Sequence, residues 1–241
     1  MDEKPFATIP SNAAQLIEFM DSPPIARALT RHDFLMHAVV GGRNGDLFVG
    51  YPLDKLDAMP APARLVLGFA MHKAIETGGS RRVPLLFLMD EMPRLGYMRP
   101  VQTLVAAGAG LNIRLWAIAQ NFGQLEQTYG KEGVQELVEN AVARQVFGAQ
   151  GDDAEALAKA LGETEAEQSS HSGTAEGELS GLYLQKEKRH LITPDELRRL
   201  PFENQILVVR GLAPLYCEKV FYDQDSPFAE RQRLHETADA A

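Results

Sequence analysis

The segment PLLFLMDEMPRLG, residues 84–96, runs five apolar side chains straight into two adjacent carboxylates, Asp90 and Glu91, and then into Pro93 and Gly96. An unbroken apolar run bounded by turn residues has the pattern of a strand buried on both faces of a parallel sheet. In open parallel sheets ligands bind beyond the carboxyl ends of the strands, which is where Asp90 and Glu91 stand. An apolar strand ending in Asp-Glu is also the Walker B pattern of nucleotide hydrolases. There the first acid holds Mg²⁺ through water, and the second orients and deprotonates the attacking water. Solvated strand ends produce the same string, so the pair alone leaves both readings open.

On either side of this segment, strand and helix patterns alternate. LFVGYP (47–52), NIRLWAIAQ (112–120), ARQVFGA (143–149), NQILVVRG (204–211) and LYCEKVFY (215–222) read as strands. A helical entry from about Ala13 to His37 is interrupted at Pro23-Pro24, and GGRNGD (41–46) reads as a turn. APARLVLGFAMHKAIETGG (61–79) has helical spacing, with Leu65, Leu67, Met71 and Ile75 available for one face. FGQLEQTYG (122–130), EGVQELVENA (132–141), DDAEALAKALG (152–162) and the capped TPDELRRL (193–200) read as helices. Strands alternating with helices over this length imply an α/β fold on a doubly wound, mostly parallel sheet. Trp116 falls inside one of the strands and reads as core.

Composition sets the outer bounds. A chain of 241 residues with 45% hydrophobic side chains can bury one substantial core. Cys217 is the single cysteine, which excludes an intramolecular disulfide and reads as a small buried hydrophobe. No apolar run reaches the roughly 18 residues of a membrane span, so the chain reads as soluble. The net charge of −9 is local. Residues 151–180 carry eight acids against Lys159 alone, leaving a near-neutral body that is compatible with a phosphate backbone although no basic stripe marks one. Within that region ETEAEQSSHSGTAEGELSG (163–181) has no hydrophobic period and reads as a mobile loop or a long exposed hairpin. The six histidines show no metal-ligand spacing, and no G-x-S-x-G elbow occurs.

LLFLMDEMPRLG (85–96), GLNIRLWAIAQNFGQLEQTYG (110–130), LITPDELRRLP (191–201) and ILVVRGLAPLYCEKVFYD (206–223) succeed one another along the chain. In this order they resemble the motor domain of type IV secretion coupling proteins, the TraG/TraD group of conjugative DNA-transfer ATPases. The resemblance extends from about Ile25 onward. It implies a RecA-like P-loop NTPase fold, incomplete at its amino-terminal side, that uses ATP and Mg²⁺ as part of a hexameric motor. By the same resemblance Asp90 is the metal-side acid, holding Mg²⁺ through water, and Glu91 is the catalytic acid. Gln120, at the tip of the neighbouring strand, senses the γ-phosphate or positions water, and Arg114 is a nucleotide-side charge stabiliser acting in trans. The implied partners are further coupling-protein subunits, a relaxosome or effector proteins, DNA and the secretion channel. The implied location is the cytoplasmic face of the bacterial inner membrane, through segments not in this sequence. Residues 1–42 resemble the end of the family's all-helical insertion, residues 43–224 the Walker B half of the nucleotide-binding domain with its acidic loop at 163–181, and residues 225–241 a flexible tail.

Two departures qualify the resemblance. Some relatives carry a basic residue where this chain has Ala109 and Gly110. The phosphate-loop pattern G-x-x-x-x-G-K-[ST], which supplies backbone N–H groups and a lysine to the phosphates, is absent from these residues. The chain therefore reads as the carboxyl-terminal portion of a coupling protein that does not bind ATP by itself. A truncated, non-enzymatic module that docks to the secretion machinery is the alternative.

Overall fold

A computed structural model describes Ala14 and residues 17–31, 33–42, 45–173 and 179–239. The chain divides into two units, residues 1–141 and 142–241. Parts of the helical entry and of the GGRNGD turn lie outside the described residues.

The first unit contains a 3-10 turn at Glu18–Asp21, helices α1 (Pro23–Ala28), α2 (Met36–Val40), α3 (Leu53–Ala58) and α4 (Ala61–Thr77), strand β1 (Leu85–Met89), a 3-10 turn at Met92–Leu95, helix α5 (Arg99–Ala107), strand β2 (Ile113–Ala117) and helix α6 (Phe122–Asn140). Residues 47–52, expected as a strand, are irregular up to the start of α3. Helix α4 buries Ala63, Ala70, Met71 and Ala74, with Leu67 and Ile75 packed against them. These positions repeat at three- and four-residue steps, which is one face of a helix. Leu65, assigned to that face from the sequence, lies off it and is exposed.

Strands β1 and β2 pair in parallel, with Leu85 opposite Ile113 and Met89 opposite Ala117. Phe87, Met89 and Ile113 enter the core with Met71, Met92, Val101 and Leu104. Alternate residues go to the other face, because successive strand side chains point to opposite sides. Leu86, Leu88 and Trp116 are consequently about half exposed, at 50%, 56% and 51%. The expectation of a strand buried on both faces, and of Trp116 as core, is corrected on that point: among the described residues of this unit only one face of the pair is covered.

The segment 122–141 reads from the sequence as two helices, and its backbone shows why. Gly130 adopts φ 72°, ψ 166° inside α6 and interrupts it. Only glycine takes this conformation readily.

The second unit contains β3 (Ala143–Val146), α7 (Gly151–Leu161), β4 (Glu163–Gly173), β5 (Leu179–His190), α8 (Pro194–Arg198), β6 (Asn204–Val209), β7 (Leu215–Glu218) and α9 (Phe228–Asp239). β3, β6 and β7 form an antiparallel sheet with β6 in the middle, so the parallel order expected from the alternation does not continue into this unit. Ala154, Leu157, Ala158 and Leu161 of α7 pack with Leu197 and Ile206. Thr193 caps α8 through a complete capping box with Glu196, as its sequence predicts. Within the acidic segment β4 and β5 pair antiparallel from Glu163 opposite His190 to Gly173 opposite Leu179, and residues 174–178 between them, part of the stretch expected as a mobile loop or exposed hairpin, lie outside the described residues. The last residues, expected to fray, include α9. Cys217 is half-buried on β7.

Candidate functional site

The parallel register that sets Met89 beside Ala117 brings the residues beyond both strands to one end of the pair. The main chain continues the ladder there. Ile118 N–H donates to Met89 O at 3.0 Å, and Met92 N–H donates to Ile118 O at 3.0 Å. Between these bonds the chain turns sharply, with Glu91 at φ 49°, ψ 40°. A non-glycine residue in this left-handed region carries strain of about 1–2 kcal/mol. Such outliers concentrate where function over-determines the backbone.

The side chains of the turn form a connected polar chain. Gln120 Nε2 donates to Glu91 Oε1 at 2.9 Å, and Arg94 Nε donates to Glu91 Oε2 at 3.2 Å. Arg94 Nη1 also donates to Asp57 Oδ2 on α3, at 2.7 Å. The two carboxylates, Asp57 first and Glu91 second, hold the Arg94 guanidinium above its ordinary pKa. The Glu91 side chain is 23% exposed, whereas Asp90 is open to solvent and accepts the Glu91 N–H on Oδ1 at 3.1 Å. Asn121 caps α6 by accepting Gln124 N–H at 2.9 Å, and Gln124 Nε2 reaches Gln120 Oε1 at 3.4 Å.

Asp90, Glu91 and Gln120 are thus brought together, and Arg114, expected to act in trans, lies apart from them. It pairs in register with Leu86 near the start of the strands, is exposed, and donates Nη1 to the neighbouring Ile113 O at 3.2 Å. Three residues at about 3.3 Å each separate it from the carboxyl end of β2, roughly 10 Å along the strand. Two participants carry no assignment from the sequence. Arg94 lies within MPRLG (92–96), where no partner for it is evident, and nothing in LDKLDA (53–58) marks Asp57. Asn121 does carry a sign, as an amide immediately before a helical run.

Among the described residues no group of three or more His, Cys, Asp or Glu side chains is placed to hold a metal ion. Asp90, whose carboxylate is open to solvent, could meet a hydrated cation such as Mg²⁺. The second unit has its own concavity, of about 600 Å³, lined in part by Leu161, Ile192, Asp195, Leu200, Pro214 and Tyr216. It contains none of the residues of the polar chain around Glu91.

The sequence profile described as Type IV secretory system conjugative DNA transfer matches residues 1–240. The chain belongs to this family. Among curated relatives, the conjugal transfer protein TraG of Rhizobium radiobacter is 29% identical over 92% of this chain and 35% of its own length. The coupling protein VirD4 of Bartonella henselae is 24% identical over the same shares, so the chain spans about a third of the relatives it matches. Among solved structures, the bacterial conjugative coupling protein TrwB lacking its first 70 residues superposes with a TM-score of 0.65 at 19% identity, over 80% of this chain and 46% of TrwB. TrwB in complex with ADP and Mg²⁺ gives 0.64 at 17% identity, over 80% of this chain and 45% of TrwB. The α/β fold, expected from the sequence as RecA-like, is the fold this chain shares with TrwB. No helix among the described residues is long and apolar enough to cross a membrane.

Proposed function

We propose that these residues form the hydrolytic half of an ATP-driven motor that recruits DNA or a protein substrate and passes it to a type IV secretion channel. The observation that carries this reading is the Gln120–Glu91 hydrogen bond of 2.9 Å at the shared carboxyl end of two parallel strands, beside the open carboxylate of Asp90. In this reading Glu91 takes a proton from a water whose oxygen bonds to the γ-phosphorus while the bond to the β-phosphate oxygen breaks. The Gln120 amide donates to Glu91, and its carbonyl oxygen, which accepts the long 3.4 Å bond from Gln124, keeps a second lone pair to orient that water. Asp90 would hold Mg²⁺ through water, and the ion would neutralise charge on the phosphates. The sequence has no phosphate loop, so hydrolysis requires phosphate-binding groups from outside these 241 residues. Assembly as a homo-hexamer, recruitment of a relaxosome or effector protein, and placement at the cytoplasmic face of the inner membrane belong to the same proposal. They rest on kinship with TraG, VirD4 and TrwB.

The test uses a coupling protein carrying this sequence together with a phosphate loop. Glu91→Gln keeps shape and hydrogen bonding but removes the base, so ATP binds while turnover falls by ~10²–10⁴-fold. Asp90→Asn weakens the Mg²⁺-dependent part of nucleotide affinity as well as turnover, and Gln120→Ala slows turnover less than Glu91→Gln. Near-normal ATPase activity in Glu91→Gln returns Asp90-Glu91 to a solvated strand end. For the 241-residue chain alone, titration with Mg-ATP gives no saturable signal. That result is shared with the docking-module alternative, which the absence of a phosphate loop favours for the isolated chain.

A further inference from the structure

The Glu91 carboxylate accepts one donor on each oxygen, Gln120 on Oε1 and Arg94 on Oε2. A carboxylate held at one oxygen still turns about its terminal bond, whereas donors on both oxygens fix its plane. Arg94 is the stiffer of the two holders, because its planar guanidinium is itself tied to Asp57 by a 2.7 Å charge-assisted bond on a separate nitrogen. Asp57 sits on α3 and Arg94 on the 3-10 turn after the acids, so the bridge fastens the carboxylate to a helix that precedes it by more than thirty residues. Sharing the guanidinium also limits its claim on Glu91. Arg94 has two anions to serve, and Glu91 keeps lone pairs for a proton.

We propose that Arg94 is the positioning residue for Glu91, with Asp57 as its anchor, and that this pair sets the rate of the hydrolytic step without contributing to nucleotide binding. The proposal rests on Glu91 being the base. It commits to a role that acts through Glu91: Arg94 neither holds the phosphates nor merely secures the fold. Its contribution appears in kcat, vanishes when Glu91 is gone, and depends on the shape of the guanidinium fork as well as on its charge.

The test measures kcat and KM for Mg-ATP in a coupling protein carrying this sequence and a phosphate loop. The variants are Arg94→Gln, Arg94→Lys, Asp57→Ala, Glu91→Gln and the Arg94→Gln/Glu91→Gln double substitution. Misplacing a catalytic group by about 1 Å costs on the order of 100-fold, so Arg94→Gln lowers kcat by about 10–100-fold with KM within about twofold of the parent. Arg94→Lys recovers part of the loss, since an ammonium can pair with Glu91 but cannot present the same two-pronged bridge. Asp57→Ala gives a smaller fall than Arg94→Gln. The double variant is no slower than Glu91→Gln alone. On the 241-residue chain, the Arg94 Nε–H resonance shifts in Glu91→Gln and in Asp57→Ala, while the unfolding temperature of Arg94→Gln stays near that of the parent. If Glu91→Gln cripples turnover but Arg94→Gln leaves kcat unchanged, or if the two losses add in the double variant, the positioning role is overturned and the base assignment stands. If Glu91→Gln itself is fully active, the base assignment and the positioning role fall together.

Discussion

Arg81→Met is expected to destabilise the first unit by about 3 kcal/mol. Arg81 is 8% exposed and donates Nε to Val40 O at 2.6 Å, Nη2 to Ala74 O at 2.6 Å, and Nη1 to Gly78 O and Leu111 O at 3.2 Å each. Val40 and Ala74 lie in the last turns of α2 and α4, where carbonyls have no partner within their own helix, and a cation there also meets the negative end of the helix dipole. Methionine keeps the unbranched apolar stem of arginine and supplies no donor. Each buried carbonyl stranded in this way costs about 1–3 kcal/mol, giving roughly 2–6 kcal/mol for the two short bonds. Part of this is offset, because the guanidinium is itself desolvated, as its lowered pKa records, and methionine removes that cost. The balance is about 3 kcal/mol, and the neighbouring Arg82, which is exposed, serves as control. Urea denaturation followed by the fluorescence of Trp116, the chain's single tryptophan and part of the same unit, reads the difference directly. A loss below about 1 kcal/mol, or an equal loss in Arg82→Met, would refute the assignment of Arg81 as the joint between these helix ends.

Gly130→Ala tests the break in α6: in a continuous helix alanine would stabilise by about 1 kcal/mol, but at φ 72°, ψ 166° it is expected to cost about 1–3 kcal/mol, so the sign of the change in a urea titration decides. Thr193→Ala should cost about 0.5–2 kcal/mol as a lost helix cap, read from the denaturation midpoint. Glu196 has its pKa lowered, first by the Thr193 N–H and then by the Thr193 hydroxyl. Its stabilisation is therefore complete above the ordinary glutamate value of about 4.3 and is lost as pH falls through the lower folded value. The stability gap between the parent and Glu196→Ala should be constant from neutral pH down to that window and close below it.

The parts of this molecule legible in the sequence are those governed by short-range rules. The strand at 85–89, the capping box at Thr193, the two helices around Gly130 and the placement of Asp90, Glu91 and Gln120 at strand ends all come from local patterns. Strand partnership is less accessible. The apolar run of β1 gives no sign of which of its faces is covered, because that depends on elements distant in the sequence. The antiparallel β3-β6-β7 sheet escapes a reading of the sequence because an alternating order of elements cannot distinguish a crossover from a return. Arg94 and Asp57 escape it because their meeting requires α3 to lie beside the turn, which no spacing in the sequence encodes.

The MPRLG segment behind the two acids explains how Glu91 can be held where it is. Left-handed strain of about 1–2 kcal/mol at a glutamate has to be offset by its neighbours. Met92 is fully buried and Leu95 is 5% exposed, and burial of each such side chain contributes about 1.5–3 kcal/mol. The 3-10 turn between them closes with Arg94 N–H on Glu91 O and Gly96 N–H on Pro93 O, both at 3.0 Å, while Gly96 takes φ 72°, a value that suits glycine. The apolar anchoring thus exceeds the strain. The segment that trails the Asp-Glu pair is therefore a clamp: it buries Met92, Pro93 and Leu95 to fix the backbone of the acid, and it carries in its third residue the guanidinium that fixes the acid's carboxylate.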